Sequence, residues 1–375
     1  MTFNFQLTTI IKFGPGSVSA IGEEAAKLGH KVFLVTYPDI RHVGLLDKII
    51  GNLKEKDLDV VIFDKVQCNP HTTTVDDGAE LARKENPDLF IGLGGGSVMD
   101  TTKGIALASS GSAPIWDYML GLAKVQGPIK PIIQVPTMAG TGSEMNGSAV
   151  LTYWESHIKQ PLGGIPALLA RIAIVDPTLT LTVPMKQIKA GGVDILSHLV
   201  EYYVTDTTPS PLTDGISETG MKMVVEFLPQ AIAHPDDIKA RTELSWVSTV
   251  AMSKIARLGG GGGTMTCHSI EHALSGYYDI THGEGLAALL PAWMSHYYSS
   301  NKDRFDLLGK NVFRKKDGLK AMEQFLESIG MRLRLGDLGC KIEDEAIITD
   351  LVIKSSPLEI RLDSKSNGDI YRNSF

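Results

Sequence analysis

The first half of the chain alternates short apolar runs with longer stretches whose apolar positions recur at helical spacing. Four runs are short and rich in Val and Ile: KVFLVTY (31–37), DVVIFDKV (59–66), DLFIGLGGG (88–96) and PIIQVPT (131–137). Such runs are typical of buried parallel strands. Next to these runs, GEEAAKLG (22–29) and TTVDDGAELARKEN (73–86) are amphipathic and long enough to be the crossover helices that parallel strands require. The pattern therefore predicts an α/β domain with a parallel sheet.

The second half of the chain carries helical patterns instead. Strand signals fade after IAIVDPTLTLTVP (172–184), and amphipathic segments such as GISETGMKMVVEFLPQAIA follow. Pro177 and Pro184 bracket a boundary, because proline removes a backbone donor and interrupts regular elements. We therefore predict a boundary near residue 181, with an α/β domain over 1–180 and an all-helical domain over 181–375.

Composition and charge limit the class of protein. The chain has 375 residues, more than one hydrophobic core usually organises, which agrees with two domains. It is 43% hydrophobic and 21% charged, as in globular proteins, and its net charge of −7 offers no basic surface for nucleic acid or an anionic membrane. The three cysteines have no paired spacing, the N-terminus lacks a signal-peptide pattern and no apolar run is long enough to span a membrane. We therefore expect a cytoplasmic protein without a membrane partner.

Five glycines at 259–263 predict a flexible loop.

Two glycine- and hydroxyl-rich turns follow apolar runs. The first is GLGGGS (92–97), which leads into a helix-like segment, and the second is PTMAGTGSE (136–144). A turn without side chains at a helix N-terminus can approach a pyrophosphate closely and offer it amide donors. The first turn alone is about as well explained as a structural turn, since it is neither a Walker A nor a GxGxxG motif. Two such turns on one sheet favour a dinucleotide at the carboxyl edge of the strands.

Acidic and histidine residues recur at helical spacing in the second half. Asp194 and His198 are four residues apart, as are His268 and His272, and His282 follows in the same region. Residues at this spacing project from one face of a helix. A single Asp/His pair is more often a capping or hydrogen-bonded core pair than a metal site. Together, a carboxylate and several imidazoles favour a divalent metal such as Fe2+ or Zn2+.

Four motifs in this order carry a family resemblance: GLGGGSVMDTTK, PTMAGTGSE, GGVDILSHLVE and HSIEHALSGYYDITHG. With FGPG (13–16), NP (69–70) and VDP (175–177), they make the chain resemble the iron-containing (group III) alcohol dehydrogenases, and within them the butanol dehydrogenase-like branch. The resemblance implies a Rossmann-like α/β domain followed by an all-helical domain, a dehydroquinate synthase-like architecture. It also implies metal-dependent hydride transfer between a nicotinamide cofactor and a short- or medium-chain alcohol or aldehyde, by a homodimer or larger homo-oligomer.

The same resemblance gives roles to individual residues. It implies the metal ligands Asp194, His198, His268 and His282, and it makes His272 a catalytic proton relay rather than a ligand. The cofactor-binding residues that it implies are Tyr37, Asn69, Gly94, Gly95, Gly96, Ser97, Asp100, Thr137, Thr141, Ser143, Lys159 and Leu179. Two of these have simpler alternatives, because Asp100 could be purely structural and Lys159 could be a solvated surface lysine.

The expected cofactor depends on the residue that follows the first apolar run. In NAD-preferring members of the resembled family an acidic residue there binds the adenosine ribose and would repel a 2′-phosphate. This chain has Tyr37 at that position, with Asp39 two residues further on. We therefore expect NADP(H) rather than NAD(H).

Three other functions stay open. A glycerol dehydrogenase-like polyol oxidoreductase would use closely related chemistry. A dehydroquinate synthase-like lyase would need several basic residues for its phosphorylated substrate, and the metal region offers only Lys254 and Arg257 at suitable places. A binding protein with an inactive site is disfavoured by the complete set of ligands. Alcohol and aldehyde interconversion is therefore the favoured function.

Overall fold

A computed structural model of the protein describes residues 4–208, 210–258, 263–356 and 362–375, except for the side chains of His42, Val43 and Lys254. The glycine loop predicted at 259–263 lies outside the described residues apart from Gly263. Across the described ranges, no helix is both long and apolar enough to cross a membrane.

A parallel sheet forms the centre of the first half of the chain. The described residues form the strands β1 (Ile10–Phe13), β2 (Lys31–Val35), β3 (Asp59–Phe63), β4 (Leu89–Gly94), β5 (Ile132–Pro136), β6 (Ala149–Tyr153), β7 (Ile158–Leu162) and β8 (Ile172–Val175). Six of them build one sheet in the order β1-β8-β5-β4-β2-β3, and each adjacent pair is parallel. β6 and β7 make a separate two-stranded sheet. The four apolar runs contain β2 to β5, so the predicted parallel sheet is confirmed.

Helices connect these strands and then make up the rest of the chain. They are α1 (Ile21–Ala26), α2 (Leu45–Lys54), α3 (Thr72–Glu85), α4 (Gly96–Ala108), α5 (Ile115–Met119), α6 (Met185–Thr205), α7 (Pro211–Ala233), α8 (Ile238–Ala251), α9 (Thr266–Tyr278), α10 (His282–Tyr298), α11 (Lys302–Leu308), α12 (Gly318–Ser328), α13 (Glu345–Ser355) and α14 (Ser364–Asn373). α1 and α3 are the predicted crossover helices. From α6 onward no described residue belongs to a strand, so the predicted fold class, α/β followed by all-helical, is confirmed.

The sheet is buried on both faces, which explains the unbroken apolar runs. On β2, Phe33 belongs to one hydrophobic cluster and Leu34 to another, and on β4 the same division separates Phe90 from Ile91. Successive side chains of a strand point to opposite faces, so each face of the sheet has its own core. A strand covered on both sides has no polar face, so apolar and polar residues do not alternate along these runs of the sequence.

Two compact units are present, and each has its own core. One contains residues 7–154 and 161–183, and the other contains residues 4–6, 155–160 and the described part of 184–375. The predicted ranges 1–180 and 181–375 therefore differ from the units mainly at 155–160. His157 explains part of this difference, because its Nδ1 lies 3.0 Å from the carbonyl oxygen of Gly276 on α9.

Candidate active site

Helix α6 presents three functional side chains at helical spacing. It begins after Pro184 and runs for 21 residues. Asp194, His198 and Glu201 occupy positions i, i+4 and i+7, which lie on one face of a helix. All three are buried, with exposed fractions of 3%, 5% and 0%. Burial of these polar groups requires compensating partners, and α9 and α10 supply them.

The other histidines are placed by α9 and by the start of α10. His268 lies in the first turn of α9, and His282 is the first residue of α10. A Cβ atom on Gly283 would overlap the carbonyl oxygen of Ala190 on α6, so only glycine permits this approach of the two helices. The approach brings His282 beside Asp194.

Three imidazole nitrogens converge on one carboxylate oxygen. The Nε2 atoms of His198, His268 and His282 lie 3.5, 3.4 and 3.5 Å from Oδ1 of Asp194. Oδ1 of Asp194 and Nε2 of His268 are buried and have no hydrogen-bond partner. Buried polar atoms without partners are rare in native proteins and call for an explanation. One carboxylate oxygen and three imidazole nitrogens around a common point are a suitable donor set for a divalent first-row metal.

Two glutamates hold the imidazoles in orientation. Nδ1 of His268 is hydrogen-bonded to Oε1 of Glu201, and Nδ1 of His282 to Oε2 of Glu271. Both glutamates are fully buried. A carboxylate on Nδ1 fixes the tautomer in which Nε2 presents its lone pair, which is the arrangement found around metal-bound histidines. The sequence analysis missed both glutamates, although each stands three residues after a predicted ligand.

Glu201 has further partners that fix the position of its carboxylate. Its Oε2 accepts hydrogen bonds from the backbone amides of Cys267 at 2.8 Å and His268 at 3.2 Å. Its Oε1 also accepts a hydrogen bond from the hydroxyl of Ser197 at 2.9 Å. Glu201 therefore joins α6 to the first turn of α9, in addition to orienting His268.

Burial and charge set the protonation of the cluster. Burial lowers the pKa of His198 to about 3, against the opposing effect of Asp194. Burial works against the imidazolium of His268 as well, but Glu201 and Asp194 outweigh it and raise the pKa of His268 to about 9. Burial also opposes ionisation of Asp194, yet His198 and His268 beside it hold its pKa well below the usual value. The cluster is a strong attractor for a positive charge, whether proton or cation.

His272 lies one helical turn after His268 and outside the four-donor cluster. Its ring centroid is 5.6 Å from that of His282 and 6.2 Å from that of His268. Burial and the ammonium of Lys159 keep the pKa of His272 well below its usual value. Glu271, His272 and His282 also lie close enough together to hold an ion, but Glu271 is already bonded to His282 and to the hydroxyl of Ser275.

The first predicted cofactor turn joins β4 to α4 without room for side chains. Gly94 ends β4, Gly95 precedes α4 and Gly96 begins it. A Cβ atom on Gly96 would lie 2.5 Å from Cγ2 of Thr141, and one on Gly94 would lie 2.5 Å from Cγ2 of Val98. Gly95 and Gly96 therefore place no Cβ atom beside the backbone amides at the start of α4. These amides form the positive end of the helix dipole.

The two turns are bonded to each other at the carboxyl edge of the sheet. The amide of Thr137 donates to the carbonyl of Gly94 at 3.0 Å. The hydroxyl of Ser143 donates to Oδ1 of Asp100 at 2.5 Å, and Oδ2 of Asp100 accepts from the amide of Val150 at 2.9 Å. Both oxygens of Asp100 therefore have structural partners, which supports the structural alternative for this residue.

Lys103 lies on α4, after the first turn, and its side chain contacts the second turn. It is fully buried, and its ammonium donates to the carbonyl oxygens of Ser143 and Ser148, both at 2.7 Å. Asp100 lies 3.7 Å away. Burial lowers the pKa of Lys103 to about 8. The residue cross-links α4 to the second turn.

The remaining predicted cofactor residues are spread over both units. Tyr37 is half-buried after β2, Asn69 adopts φ 45° after β3 and Leu179 is buried in the turn after β8. Lys159 belongs to the helical unit, where its Nζ lies 3.8 Å from Oε2 of Glu271. It is 5% exposed, so the alternative of a solvated surface lysine is wrong. Ser97 is half-buried in the first turn of α4.

Comparison with known proteins identifies the family. The sequence profile of the iron-containing alcohol dehydrogenases matches residues 8–177, and that of the C-terminal region of the Fe-containing alcohol dehydrogenase family matches 188–370. NADH-dependent butanol dehydrogenase A of Clostridium acetobutylicum is 32% identical over 95% of this chain and 94% of its own length. 1,3-Propanediol dehydrogenase of Citrobacter freundii is 32% identical over 100% of this chain and 99% of its own.

A solved structure agrees with this assignment. The crystal structure of NADH-dependent butanol dehydrogenase A from Thermotoga maritima matches with a TM-score of 0.94 and 32% identity, covering 99% of this chain and 98% of that one. The profiles, the relatives and this structure extend over both the α/β and the helical unit. The chain therefore belongs to the iron-containing alcohol dehydrogenase family, in its butanol dehydrogenase-like branch.

Proposed function

We propose that the protein reduces short aldehydes to alcohols, and oxidises the alcohols in reverse, with a nicotinamide dinucleotide and a divalent metal. In reduction, a bound dinucleotide would supply the hydride for the carbonyl carbon, and a proton would be added to the oxygen. The observation that carries this proposal is the cluster around Asp194, in which two buried donor atoms have no partner. A divalent cation held there supplies Lewis-acid stabilisation of the negative charge that develops on the substrate oxygen.

The four ligands in this proposal are Asp194, His198, His268 and His282. Glu201 and Glu271 act through the histidines, because each accepts the hydrogen bond from Nδ1 and so aims Nε2 at the common point. His272 is the proposed proton relay. It stands one turn from His268 on the same helix and has no place among the four donors around Asp194.

The proposed dinucleotide site uses both glycine-rich turns. The pyrophosphate binds at the start of α4, over Gly95, Gly96 and Ser97, where two of the three residues have no Cβ atom and the amides of a helix N-terminus are available. Thr137, Thr141 and Ser143 bind the nicotinamide half, with Lys159 at the ribose. Tyr37, Asn69, Gly94 and Leu179 complete the proposed site, and Asp100 supports it through Ser143.

The choice between NAD(H) and NADP(H) rests on two opposing observations. Tyr37 carries no charge to repel a 2′-phosphate, which permits NADP(H). The Clostridium relative and the Thermotoga structure are both named as NADH-dependent. We propose that NAD(H) is the working cofactor and that Tyr37 allows slower turnover with NADP(H), a ranking that kcat/KM with each dinucleotide tests directly.

Butanol and 1,3-propanediol are the substrates named for the relatives, and we propose the same class of small alcohols for this chain. Glycerol is the substrate of the closest alternative function. A lyase acting on a phosphorylated ring is less compatible with the site, because the region of the cluster has few cationic side chains. Rates with butanal, 3-hydroxypropanal and glycerol separate these functions.

The central experiment combines metal removal with ligand variants. We expect the stripped protein to be inactive and to recover activity when Fe2+ or Zn2+ is added back separately, with metal content measured by elemental analysis. His268→Ala and His282→Ala should lose bound metal and activity together, whereas His296→Ala, an exposed histidine on α10, should lose neither. Full activity without metal, or in either ligand variant, would overturn the proposal.

We also propose that the protein is a cytoplasmic homodimer or larger homo-oligomer. This part of the proposal rests on the family and on the absence of paired cysteine spacing, since Cys68, Cys267 and Cys340 are all free. Light scattering coupled to size-exclusion chromatography measures the mass of the assembly, and a monomer would contradict the proposal.

A further inference from the structure

Tyr202 and Tyr203 on α6 each stack their ring on the guanidinium of an arginine. One of these arginines has a carboxylate partner and the other has none. The guanidinium carbon of Arg304 lies 4.0 Å from the ring centroid of Tyr203, and the same group pairs with both oxygens of Asp214 at 2.7 and 2.8 Å. The guanidinium carbon of Arg257 lies 3.8 Å from the ring centroid of Tyr202. Within the described parts of the chain, no carboxylate forms an ion pair with Arg257.

The contacts that Arg257 does make are weak for a guanidinium. Its Nη2 approaches Sδ of Met252 at 3.0 Å and Sδ of Met265 at 3.6 Å, and thioethers are poor acceptors. Its Nε is buried and has no hydrogen-bond partner. Burial lowers the pKa of Arg257, although the group stays charged. Arg257 is partly buried, so its guanidinium has lost some of its hydration without gaining an anionic partner, and an anion bound there would stabilise it.

Arg257 lies near the metal-ligand cluster, because the residues that it contacts are close in sequence to two of the ligands. Tyr202, whose ring it covers, stands one helical turn after the ligand His198 on α6. Met265 stands three residues before the ligand His268, at the start of α9. The positive charge of Arg257 also adds to the effect of burial in lowering the pKa of His198. All these residues belong to the helical unit.

The nearby carboxylate of Glu201 is not the missing partner. It exerts an electrostatic effect on Arg257, but its two oxygens are occupied by the backbone amides of Cys267 and His268, the hydroxyl of Ser197 and Nδ1 of His268. The guanidinium of Arg257 therefore contacts one aromatic ring and two thioethers, and its Nε has no partner.

We propose that Arg257 binds an anionic group of the substrate, so that the preferred substrates are short aldehydes and alcohols carrying a terminal carboxylate or sulfonate. The inference rests on the proposed function, since it concerns the same reaction. A guanidinium presents paired donors that match two oxygens of an oxyanion, and the ring of Tyr202 keeps its plane fixed. The surrounding thioethers exclude water and so strengthen the pairing.

The test compares three aldehydes that differ only at the end remote from the reacting carbon: butanal, 4-oxobutanoate and 3-oxopropanesulfonate. A charge-assisted pair of this kind contributes enough for a preference of at least ~10-fold in kcat/KM. We expect one or both anionic aldehydes to exceed butanal by that factor, and the better one identifies the anion.

Variants at Arg257 assign the preference to this residue. Arg257→Met keeps the length of the side chain without its charge, and should cut kcat/KM for the anionic aldehyde at least ~10-fold, mainly through KM, while butanal changes by less than about twofold. Arg257→Lys keeps the charge without the paired donors and should lose part of the preference, which gives a second measure should the Met variant not fold. Arg171→Met, an exposed arginine, is the matched control and should keep the full preference.

The outcomes distinguish a failure of the inference about Arg257 from a failure of the proposed function. If the wild type reduces butanal but shows no preference for either anion, or if Arg257→Met lowers all three rates equally, the inference is overturned and the proposed function stands. If none of the aldehydes is reduced with either dinucleotide, the proposed function fails. Calorimetry with 4-hydroxybutanoate and 1-butanol then decides the inference alone, because tighter binding of the acid that Arg257→Met abolishes supports it and equal binding overturns it.

Discussion

The ammonium of Lys103 donates to both the carbonyl oxygen and the hydroxyl of Ser143, each at 2.7 Å. Lys103 lies on α4, which follows the first glycine-rich turn, and Ser143 lies in the second turn. A buried charge thus sets the separation of two backbone segments that are proposed to bind one dinucleotide. This relationship makes the cofactor site sensitive to a residue that has no direct contact with the cofactor in the proposal.

Replacing Lys103 with Met tests that dependence. The change leaves the carbonyl oxygens of Ser143 and Ser148 without a charged donor, and we expect the free energy of unfolding to fall by about 2–4 kcal/mol. The Kd for NADH should rise at least ~10-fold, because the turns lose their fixed separation. Urea denaturation and fluorescence titration measure the two effects. Lys84→Met, on the exposed face of α3, is the control, and unchanged NADH binding in Lys103→Met would show that the cross-link is dispensable.

Replacing Glu201 with Gln tests the orientation of His268. The amide keeps the shape of the side chain but removes the charge that accepts the Nδ1 proton, and changes of this kind typically cost ~10–100-fold in metal affinity. Competition with a chromophoric chelator measures the affinity. Glu226→Gln, exposed on α7, should bind metal as the wild type does. Equal affinity in Glu201→Gln would mean that Glu201 only joins α6 to α9.

Replacing Gly283 with Ala tests the close approach of α10 to α6. The added methyl overlaps the carbonyl oxygen of Ala190, so the helices must separate, at a cost of about 1–3 kcal/mol. His282 moves with α10, and the variant should therefore lose its metal to a chelator faster than the wild type. Gly215→Ala is matched to it, because an added Cβ on this exposed residue of α7 meets nothing, and it should stabilise the protein by about 0.4–1 kcal/mol.

Replacing Tyr278 with Phe tests a pH dependence that arises outside the cluster. Burial and the hydrogen bond to Asp344 raise the pKa of Tyr278 to about 12, above its ordinary value near ~10. Between these pH values the unfolded chain releases a proton that the folded chain keeps, so the contribution of Tyr278 to stability is complete below pH ~10 and is lost as the pH rises towards 12.

The measurement is the difference in unfolding free energy between wild type and Tyr278→Phe at several alkaline pH values. We expect this difference to shrink across the window from about pH 10 to 12, as the wild type loses the contribution. Tyr277→Phe, which leaves the contact between Tyr278 and Asp344 in place, is the neighbouring control. A constant difference for Tyr278→Phe would contradict the assignment.

The sheet could be predicted from the sequence because each of its central strands is marked by a local run of apolar residues. The runs around Phe33 and Phe90 are short and almost continuously apolar, as strands covered on both faces are. Spacing likewise brought Asp194 and His198 onto one helix face. The family resemblance supplied the rest of the proposed ligand set, which spacing alone left ambiguous.

The parts that escaped prediction depend on contacts between distant segments. Glu201 looks like an ordinary helical glutamate until His268, 67 residues later, folds against it. The placement of 155–160 with the helical unit follows from contacts of His157 and Lys159 with α9, which no local pattern encodes. Arg257 was counted only as one of two basic residues near the cluster, and its lack of an anionic partner becomes visible only when its neighbours are known.

The approach of α10 to α6 at Gly283 has a consequence for how the protein is made. His282 is the last of the four proposed ligands in chain order, and it reaches the cluster only when α10 docks. A nascent chain still emerging from the ribosome at the end of α9 presents three donors and holds an ion weakly. Capture of the proposed metal therefore requires the docking of α10, and since metal binding contributes free energy to folding, it stabilises that docked arrangement.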